Sequence, residues 1–361
     1  MISGDCEGLM KKSGHVDGMT SGEEEAGCVR AVAMYSGGLD SLLAALVVRH
    51  AGIDVTLLHV KHLFSAGESG CRWLAETADR YGFALRIEDA SGDHLTTIRH
   101  PKHGYGKGMN PCVDCRVFML TVARRVMNEI SAQFVVTGEV LGQRPKSQQY
   151  RALLQAAEES GLGDRLLRPL SANLLPETVP VRQGWLKPED LYSIHGRSRE
   201  QQTRLAEAFG VDDYPQPAGG CLLTEKVYGA RVRDAFDTLG KDEVGVDEFR
   251  LLRIGRHFRL SPTAKAIIGR DEAENDQLVD LAGDRLRLEP VDVMGPMTLV
   301  EGQPTGEEIR LVAALAARYC DAEEGNDVAF RVFGGSPTKI LATPLSPDDP
   351  RIGQWRIGNS H

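Results

Sequence analysis

Short apolar runs alternate with stretches of helical spacing along the first third of the chain. Four of the runs, VRAVAMYS, DVTLLHVKH, ALRIED and FVVTGE, are predicted strands, which begin at residues 29, 54, 84 and 134. Between them, the spacing of apolar positions predicts helices over 39–50, 69–81 and 113–130. Strands that alternate with helices form a parallel sheet covered on both faces. We therefore predict an α/β fold with a doubly wound parallel sheet.

The pattern changes after about residue 235. Thr305 and Glu308 form a capping box that predicts a helix over 306–320, and DVAFRVF (327–333) is a predicted strand. This part is predicted to be a second, smaller α+β domain. The expected organisation is a disordered tail over 1–28, a first domain over 29–235, a second over 245–340 and a C-terminal tail over 341–361.

Two segments between these elements are predicted to be irregular. Residues 94–111 carry glycine, histidine and lysine and are too long for a simple connection, and residues 168–188 are rich in proline. A further helix is predicted near 197–209.

Composition and charge limit the class of protein. The 361 residues are 42% hydrophobic and 26% charged, and the longest apolar run, Leu42–Val48, is far too short to span a membrane. Seven cysteines in such a chain do not indicate a disulfide scaffold, so a reducing cytoplasm is expected. The net charge of −9 argues against indiscriminate coating of nucleic acid but allows a local basic face.

The sequence SGGLDS, residues 36–41, lies where the first strand turns into the first helix. The backbone N–H groups of Gly37, Gly38 and the helix N-terminus are suited to binding an anion, and glycine permits close approach of phosphate oxygens. Ser36 and Ser41 add hydroxyl donors, while Asp40 is placed to hold Mg²⁺. The lysine of the GxxxxGK[ST] loop is absent, which excludes that class of nucleotide site.

This loop resembles the PP-loop of the ATP pyrophosphatases, a family with a HUP-like fold. The resemblance implies ATP binding, release of pyrophosphate and adenylation of a carbonyl-type oxygen. In members that modify tRNA, the oxygen belongs to a nucleobase, and a nitrogen or sulfur nucleophile then displaces AMP.

Two further stretches narrow the resemblance. VVTGEVLGQRPKSQ (135–148), followed by LLRPL (166–170), is similar to 4-thiouridine synthetases, and MNPCVDCRVF (109–118) is similar to tRNA 2-thiouridylases. The resemblance implies that Gly138 and the backbone at Val60 contact the adenosine. It also places Asn110 and Pro111 near the target base.

The same resemblance assigns roles to cysteines. It implies a catalytic Cys115 and a persulfide-carrying Cys221, and Cys112 stands where the 2-thiouridylases have aspartate. Three cysteines do not fit a four-ligand zinc site, whereas three thiolates can hold three irons of a [4Fe–4S] cluster and leave the fourth free for sulfur. Cys112, Cys115 and Cys221 are therefore predicted cluster ligands. The alternatives are a cluster-free persulfide route and a structural zinc site completed by His100 or His103.

Basic residues predict contact with RNA. Arg144 and Lys146 flank the expected site and are predicted to bind tRNA phosphates. Residues 251–333 resemble the RNA-binding domain of NFACT proteins, through IGRHFRL (254–260), IIGRDEAENDQL (267–278), GPMTLVEG (295–302) and AALAARYCDA (313–322). Five basic residues without an acidic one over 251–270 suit that role. A domain for dimerisation or stability is the alternative.

Together these patterns predict a cytoplasmic tRNA thiolase that uses ATP, Mg²⁺ and a [4Fe–4S] cluster, with Asp40, Cys115 and Cys221 as catalytic residues. No sulfurtransferase domain accompanies the motifs, so the sulfur is expected as sulfide or from a persulfide-carrying partner. A PP-loop ligase or sulfur transferase for a small molecule, and an RNA-binding adaptor switched by ATP, are the alternatives.

Overall fold

The computed structural model describes residues 28–64, 68–215, 221–323, 325–334 and 338–358. The expected N-terminal tail, apart from Cys28, lies outside these residues. Within the described part of the chain, no helix has both the length and the apolar character needed to cross a bilayer.

The first part of the chain alternates strands and helices as the apolar pattern predicts. Its elements are β1 (Arg30–Met34), α1 (Leu39–His50), β2 (Asp54–Lys61), α2 (Glu68–Arg80), β3 (Ala84–Asp89), α3 (Ser91–Arg99), α4 (Cys112–Glu129), β4 (Phe134–Val136), α5 (Tyr150–Glu159), β5 (Leu166–Leu167), α6 (Val179–Arg182) and α7 (Glu200–Ala208). The bounds of α1 and β3 are those predicted. The predicted loop over 94–111 is wrong at its start, because residues 94–99 complete α3 and bury Ile98.

The five strands form one parallel sheet in the order β3-β2-β1-β4-β5. Alternate residues of β1 face opposite sides. Ala31 and Ala33 pack into a core with α1, α2 and α7, and Val32 packs into a second core with α4 and α5. The predicted doubly wound sheet is confirmed. The strand order reverses between β1 and β4, and ligands of such sheets bind at the carboxyl end of that crevice.

The second part of the chain begins with α8 (Lys226–Leu239) and α9 (Val246–Leu251), which share a core with α3 and the loop before α4. It continues through β6 (Arg256–Ser261), β7 (Ala264–Ile268), α10 (Glu272–Asp280), β8 (Leu286–Pro290), β9 (Thr298–Gly302), α11 (Gly306–Ala317), β10 (Val328–Phe333), β11 (Thr338–Ala342) and α12 (Pro350–Trp355). The strands form an antiparallel sheet in the order β11-β10-β8-β9-β7-β6. The smaller α+β domain is therefore confirmed.

Local signals explain how two of these helices begin. Thr305 accepts a hydrogen bond from the Glu308 N–H at the start of α11, and the Glu308 carboxylate accepts one from the Thr305 N–H. The segment expected as a C-terminal tail contains α12, which Asp349 caps, and Ile352 is buried in the core of the antiparallel sheet. This compact part therefore extends beyond residue 340, because burial of Ile352 keeps α12 against the sheet.

Candidate active site

The loop after β1 is held by hydrogen bonds among its own hydroxyl groups. Ser41 Oγ donates to the Gly38 carbonyl at 2.8 Å and lies 3.3 Å from Ser36 Oγ, while Gly37 adopts a φ of +84°. Gly38 is the N-cap of α1 and supplies no side-chain cap. The first N–H groups of this helix are therefore left for another acceptor, as an anion site requires.

Asp40 lies in the first turn of α1, and only one of its two carboxylate oxygens has a partner. Oδ2 accepts a hydrogen bond from Gln143 Nε2 at 3.0 Å and lies 3.7 Å from Arg199 Nη2. Oδ1 is buried without a hydrogen-bond partner. An unpartnered carboxylate oxygen at a helix N-terminus is suited to a cation such as Mg²⁺, which prefers oxygen ligands.

Gly138 follows β4 and touches the backbone of α1. A Cβ at this position would lie 2.4 Å from the carbonyl oxygen of Asp40 and 2.5 Å from the N–H nitrogen of Ser41. Only glycine permits this approach, so Gly138 has a packing role in addition to the adenosine contact that the resemblance implies. Val60 lies beyond Met34–Leu58, the last pair between β1 and β2, at the same carboxyl edge of the sheet.

Glu139, the next residue, is the centre of a buried ionic network. It is 2% exposed, its Oε2 accepts from Arg168 Nε at 3.0 Å, and its Oε1 lies 3.1 Å from Arg116 Nε. Burial alone would raise the pKa of Glu139, but the two guanidinium groups lower it below its ordinary value. Glu139 and Arg168 belong to the TGE and RPL stretches of the sequence, but their pairing was not predicted.

The two cysteines of NPCVDC lie in the first turn of α4. Asn110 is buried, and its Nδ2 donates to Cys112 Sγ at 3.0 Å, while its Oδ1 accepts from the Gly108 N–H. Pro111 is buried as the N-cap of α4. Asn110 thus orders the loop before the cysteine helix, in addition to its predicted place near the base.

Cys221 lies on the chain that packs against this loop. The Met109 N–H donates to the Leu223 carbonyl at 3.0 Å, which ties the two segments together. Burial raises the pKa of the Cys115 thiol, and negative charge on Cys221 and Cys112 raises it further. The structure therefore brings the three predicted cysteines close enough to interact electrostatically.

The surroundings of Cys221 contain two arginines. Burial raises the pKa of the Cys221 thiol, while the positive charges of Arg253 and Arg144 lower it. Arg144 thus acts electrostatically on Cys221, and it is exposed, as is Lys146. Arg253 was not predicted at the site. It donates to the Leu63 carbonyl at 2.7 Å and lies over the Phe64 ring at 5.8 Å.

The structure brings His94 to the thiols instead of His100 or His103. His94 is 1% exposed, and its Nε2 lies 3.0 Å from Cys115 Sγ. Its pKa falls to about 3, because burial and the neighbouring His62 disfavour the charged form. His100 pairs with Asp242 and His103 with Glu159. A zinc site completed by either of these two histidines therefore has no support in the geometry.

The thiol group fits an iron–sulfur cluster by donor chemistry. Cys112, Cys115 and Cys221 are three soft ligands that influence one another electrostatically, and thiolates are the usual ligands of such clusters. Among the described residues, however, no group of three or more histidine, cysteine or acidic side chains is placed to hold a metal ion.

The composition of residues 251–270 suggested basic side chains free to contact RNA. In the structure, most of these side chains bind other groups of the protein. Arg259 donates twice to Asp234, at 2.9 and 2.8 Å, and Lys265, 1% exposed, lies 2.8 Å from Glu301. Arg270 pairs with Glu274, and Arg256 donates to the Gly269 carbonyl. The acidic partners of Arg259, Lys265 and Arg270 come from outside the run, so the charge of these three residues stabilises the fold.

Comparison with known proteins supports the resemblance in two segments. Residues 27–172 match the family model described as thiamine biosynthesis protein (ThiI), and residues 255–356 match that of the NFACT protein RNA binding domain. A probable tRNA sulfurtransferase of Finegoldia magna is 26% identical over 152 residues, which are 42% of this chain and 38% of that protein. The chain thus matches well under half the length of this curated relative.

The solved structures that resemble this chain have lower sequence identity and low TM-scores. The U34-tRNA thiolase NcsA from Methanococcus maripaludis, solved with its [4Fe–4S] cluster, is 18% identical at a TM-score of 0.32 and covers 62% of this chain and 73% of its own. A predicted subunit of tRNA methyltransferase from Methanocaldococcus jannaschii is 15% identical at a TM-score of 0.30, with 50% and 88% covered. The resemblance read from the motifs is confirmed by the family models: one segment of the chain is similar to the ThiI family and another to the NFACT protein RNA binding domain.

Proposed function

We propose that this chain is an ATP-dependent tRNA sulfurtransferase of the thiouridine-synthase type. A single series of contacts carries the proposal. The backbone of Asp40 and Ser41 touches Gly138, its neighbour Glu139 pairs with Arg116, and Arg116 follows Cys115 on α4. Gly138 and Glu139, two neighbouring residues of the loop after β4, thus connect the phosphate loop to the cysteine helix. Activation of a base by ATP and its reaction with sulfur are consecutive steps on the same base, so both sites must lie within reach of it.

In the first step, a carbonyl oxygen of the base attacks the α-phosphorus of ATP, and pyrophosphate leaves. The uncapped N–H groups at the start of α1 stabilise the charge that develops on the pyrophosphate. Asp40 would hold Mg²⁺ through its unpartnered oxygen. In the second step, sulfur attacks the ring carbon, and AMP departs with the former base oxygen.

Cys112, Cys115 and Cys221 would hold three irons of a [4Fe–4S] cluster. When bound there, the cluster would supply an iron site for the incoming sulfur. Asn110 keeps Cys112 in place, and His94 does the same for Cys115. In the cluster-free alternative, Cys221 carries the persulfide and Cys115 assists its transfer. With the cluster, the sulfur comes from sulfide or a partner persulfide. In the cluster-free route it comes only from a partner persulfide, which transfers its outer sulfur to Cys221 and leaves as a thiol; attack of Cys115 on Cys221 then releases that sulfur as sulfide and leaves a Cys115–Cys221 disulfide, which an external thiol reductant must reduce.

The substrate is tRNA. Arg144 and Lys146 are exposed and are proposed to contact its phosphates, while Asn110 and Pro111 are proposed to border the target base. The domain similar to the NFACT RNA-binding domain adds further contact with RNA. We propose a first domain over 29–235 and a second from 245 onward, joined by α8 (Lys226–Leu239), which crosses the end of the first. We expect the enzyme in a reducing cytoplasm.

The test is nucleoside mass spectrometry of tRNA from a strain that lacks the gene. One thiolated nucleoside should disappear and should return with the wild-type gene and with Cys71→Ala, a cysteine on α2 outside the site. It should not return with Cys112→Ala. An unchanged nucleoside profile in the deletion strain would contradict the proposed function.

The cluster is tested separately on protein purified without oxygen. We expect a brown protein with about four irons per chain, and Cys112→Ala should lose colour, iron and thiolation while its ATP affinity stays unchanged. Full thiolation by an iron-free protein would contradict the cluster and favour the persulfide route.

A further inference from the structure

We propose that Arg199 is a phosphate-binding residue that makes the site select ATP over AMP. The inference rests on the proposed function, because it concerns the nucleotide bound at residues 36–41. Arg199 lies outside the motifs that the sequence comparison uses, and it comes from the segment SIHGRSR (193–199), which precedes α7.

The fold brings this segment to the phosphate loop by a set of backbone contacts. His195 forms an isolated parallel bridge with Leu141, and the Gly196 N–H donates to the Leu141 carbonyl at 2.8 Å. Ser171 Oγ donates to the Ile194 carbonyl at 2.6 Å and accepts from the Leu141 N–H at 3.0 Å. These bonds fix SIHGRSR along the loop that contains Gly138 and Gln143.

Helices α1 and α7 then run side by side in the same direction. At their amino ends Arg199 lies 3.7 Å from Asp40, and at their carboxyl ends the rings of His50 and Phe209 are 5.8 Å apart. Leu205 and Ala206 of α7 are buried in the core that α1 shares. Arg199 is the N-cap of α7. Because the two helices are parallel, this position lies beside the start of α1, which has no side-chain cap.

The hydrogen bonding of Arg199 leaves it available for a further anion. Its Nε is buried without a hydrogen-bond partner, and its contact with Asp40 is a loose one beside the closer amide of Gln143. A buried guanidinium N–H without an acceptor is costly unless a ligand supplies one. Phosphate oxygens are the acceptors that match the guanidinium fork.

Arg199 thus has two alternative partners. Without nucleotide it balances the charge of Asp40, and with ATP it moves to the β- and γ-phosphates while Asp40 turns to the cation. AMP has neither of these phosphates, so the contact contributes to the binding of ATP and pyrophosphate but not of AMP.

Calorimetric titration of the full chain with Mg·ATP and with AMP tests this assignment. Arg199→Met should weaken ATP binding at least about tenfold and change AMP binding less than twofold. Arg199→Lys should fall between the two. Arg204→Met, on the exposed side of α7 in a pair with Glu200, is the matched control and should bind both nucleotides as the wild type does.

Each other result has a definite meaning. Equal losses for ATP and AMP, or unchanged ATP binding, in a variant with the melting temperature of the wild type would overturn the role of Arg199. If Arg199→Met does not fold, Arg199→Lys decides, and an ATP-to-AMP affinity ratio equal to that of the wild type would overturn the assignment. Failure of the wild type itself to bind ATP would instead overturn the proposed function.

Discussion

His94 Nε2 lies 3.0 Å from Cys115 Sγ, and the two residues come from different helices, α3 and α4. The neutral imidazole can accept the thiol proton or donate to the sulfur, so the contact orients the thiol in either form. The other ring nitrogen of His94 is buried without a hydrogen-bond partner. Cys115 is therefore held by a residue whose sequence context, SGDHLTT, contains no motif.

The first prediction concerns this contact. His94→Leu removes the hydrogen bond but keeps an apolar side chain of similar size. We expect the rate of tRNA thiolation to fall about tenfold, because the free energy of one hydrogen bond corresponds to a factor of about this size. The affinity for ATP should stay unchanged. Single-turnover thiolation and calorimetry measure the two quantities. His100→Leu, at an exposed histidine paired with Asp242, should keep the full rate. Equal rates for both variants would contradict a role for His94.

The second prediction concerns the buried carboxylate of Glu139. Glu139→Gln leaves Arg168 and Arg116 without their counter-ion, and breaking a buried ion pair on one side costs about 3–5 kcal/mol. Urea unfolding should show this loss in the free energy of unfolding. Asp164→Asn, which removes the exposed partner of Arg182, should change it by about 1 kcal/mol or less. Equal effects of the two changes would contradict a buried, stabilising Glu139.

The third prediction concerns the contact between Gly138 and α1. Gly138→Ala places a methyl group where the Asp40 backbone lies, and such overpacking costs about 1–3 kcal/mol. We expect a lower melting temperature and weaker ATP binding, because the phosphate loop must move. The matched control is Gly306→Ala, where the added methyl group meets no atom within 4 Å. Unchanged ATP affinity in Gly138→Ala would show that the loop tolerates this movement.

The fourth prediction concerns the pH dependence of stability. His257 is buried, and burial followed by the charges of Lys265 and Arg231 lowers its pKa well below the ordinary value. Below about pH 6.5 the unfolded chain binds a proton at this residue and the folded chain does not. The free energy of unfolding therefore falls as the pH falls, by up to about 1.4 kcal/mol per pH unit for each such histidine.

Substitution of His257 measures how much this residue contributes to the pH dependence of the free energy of unfolding. His257→Gln keeps a donor for the Ile254 carbonyl, which His257 Nε2 reaches at 2.8 Å. Urea unfolding between pH 5 and 7 should give a slope smaller by about one proton in the variant. His59, His62 and His94 also have lowered pKa values, so part of the slope should remain. If the free energy of unfolding of His257→Gln depends on pH as strongly as that of the wild type, His257 does not contribute to this dependence. The exposed His50→Gln serves as the control.

Local pattern was sufficient for the elements and for the phosphate loop. The apolar spacing of α1, the alternation of strands and helices, and the capping box at Thr305 are properties of neighbouring residues, so they can be read from the chain. The glycines and hydroxyls at 36–41 lie in one turn for the same reason. Proximity of Cys221 to Cys112 and Cys115 was predicted only through the family resemblance.

The contacts that follow from the order of residues alone are those within one element or one turn. Tertiary structure alone decided the pairing of Glu139 with Arg116 and Arg168, the approach of His94 to Cys115, and the delivery of Arg199 to Asp40. It also decided that Arg259 meets Asp234, Lys265 meets Glu301 and Arg270 meets Glu274. Charge and hydrogen-bonding groups act over a few ångströms of space, whatever their separation along the chain, and only the packing of helices on the sheets sets those distances.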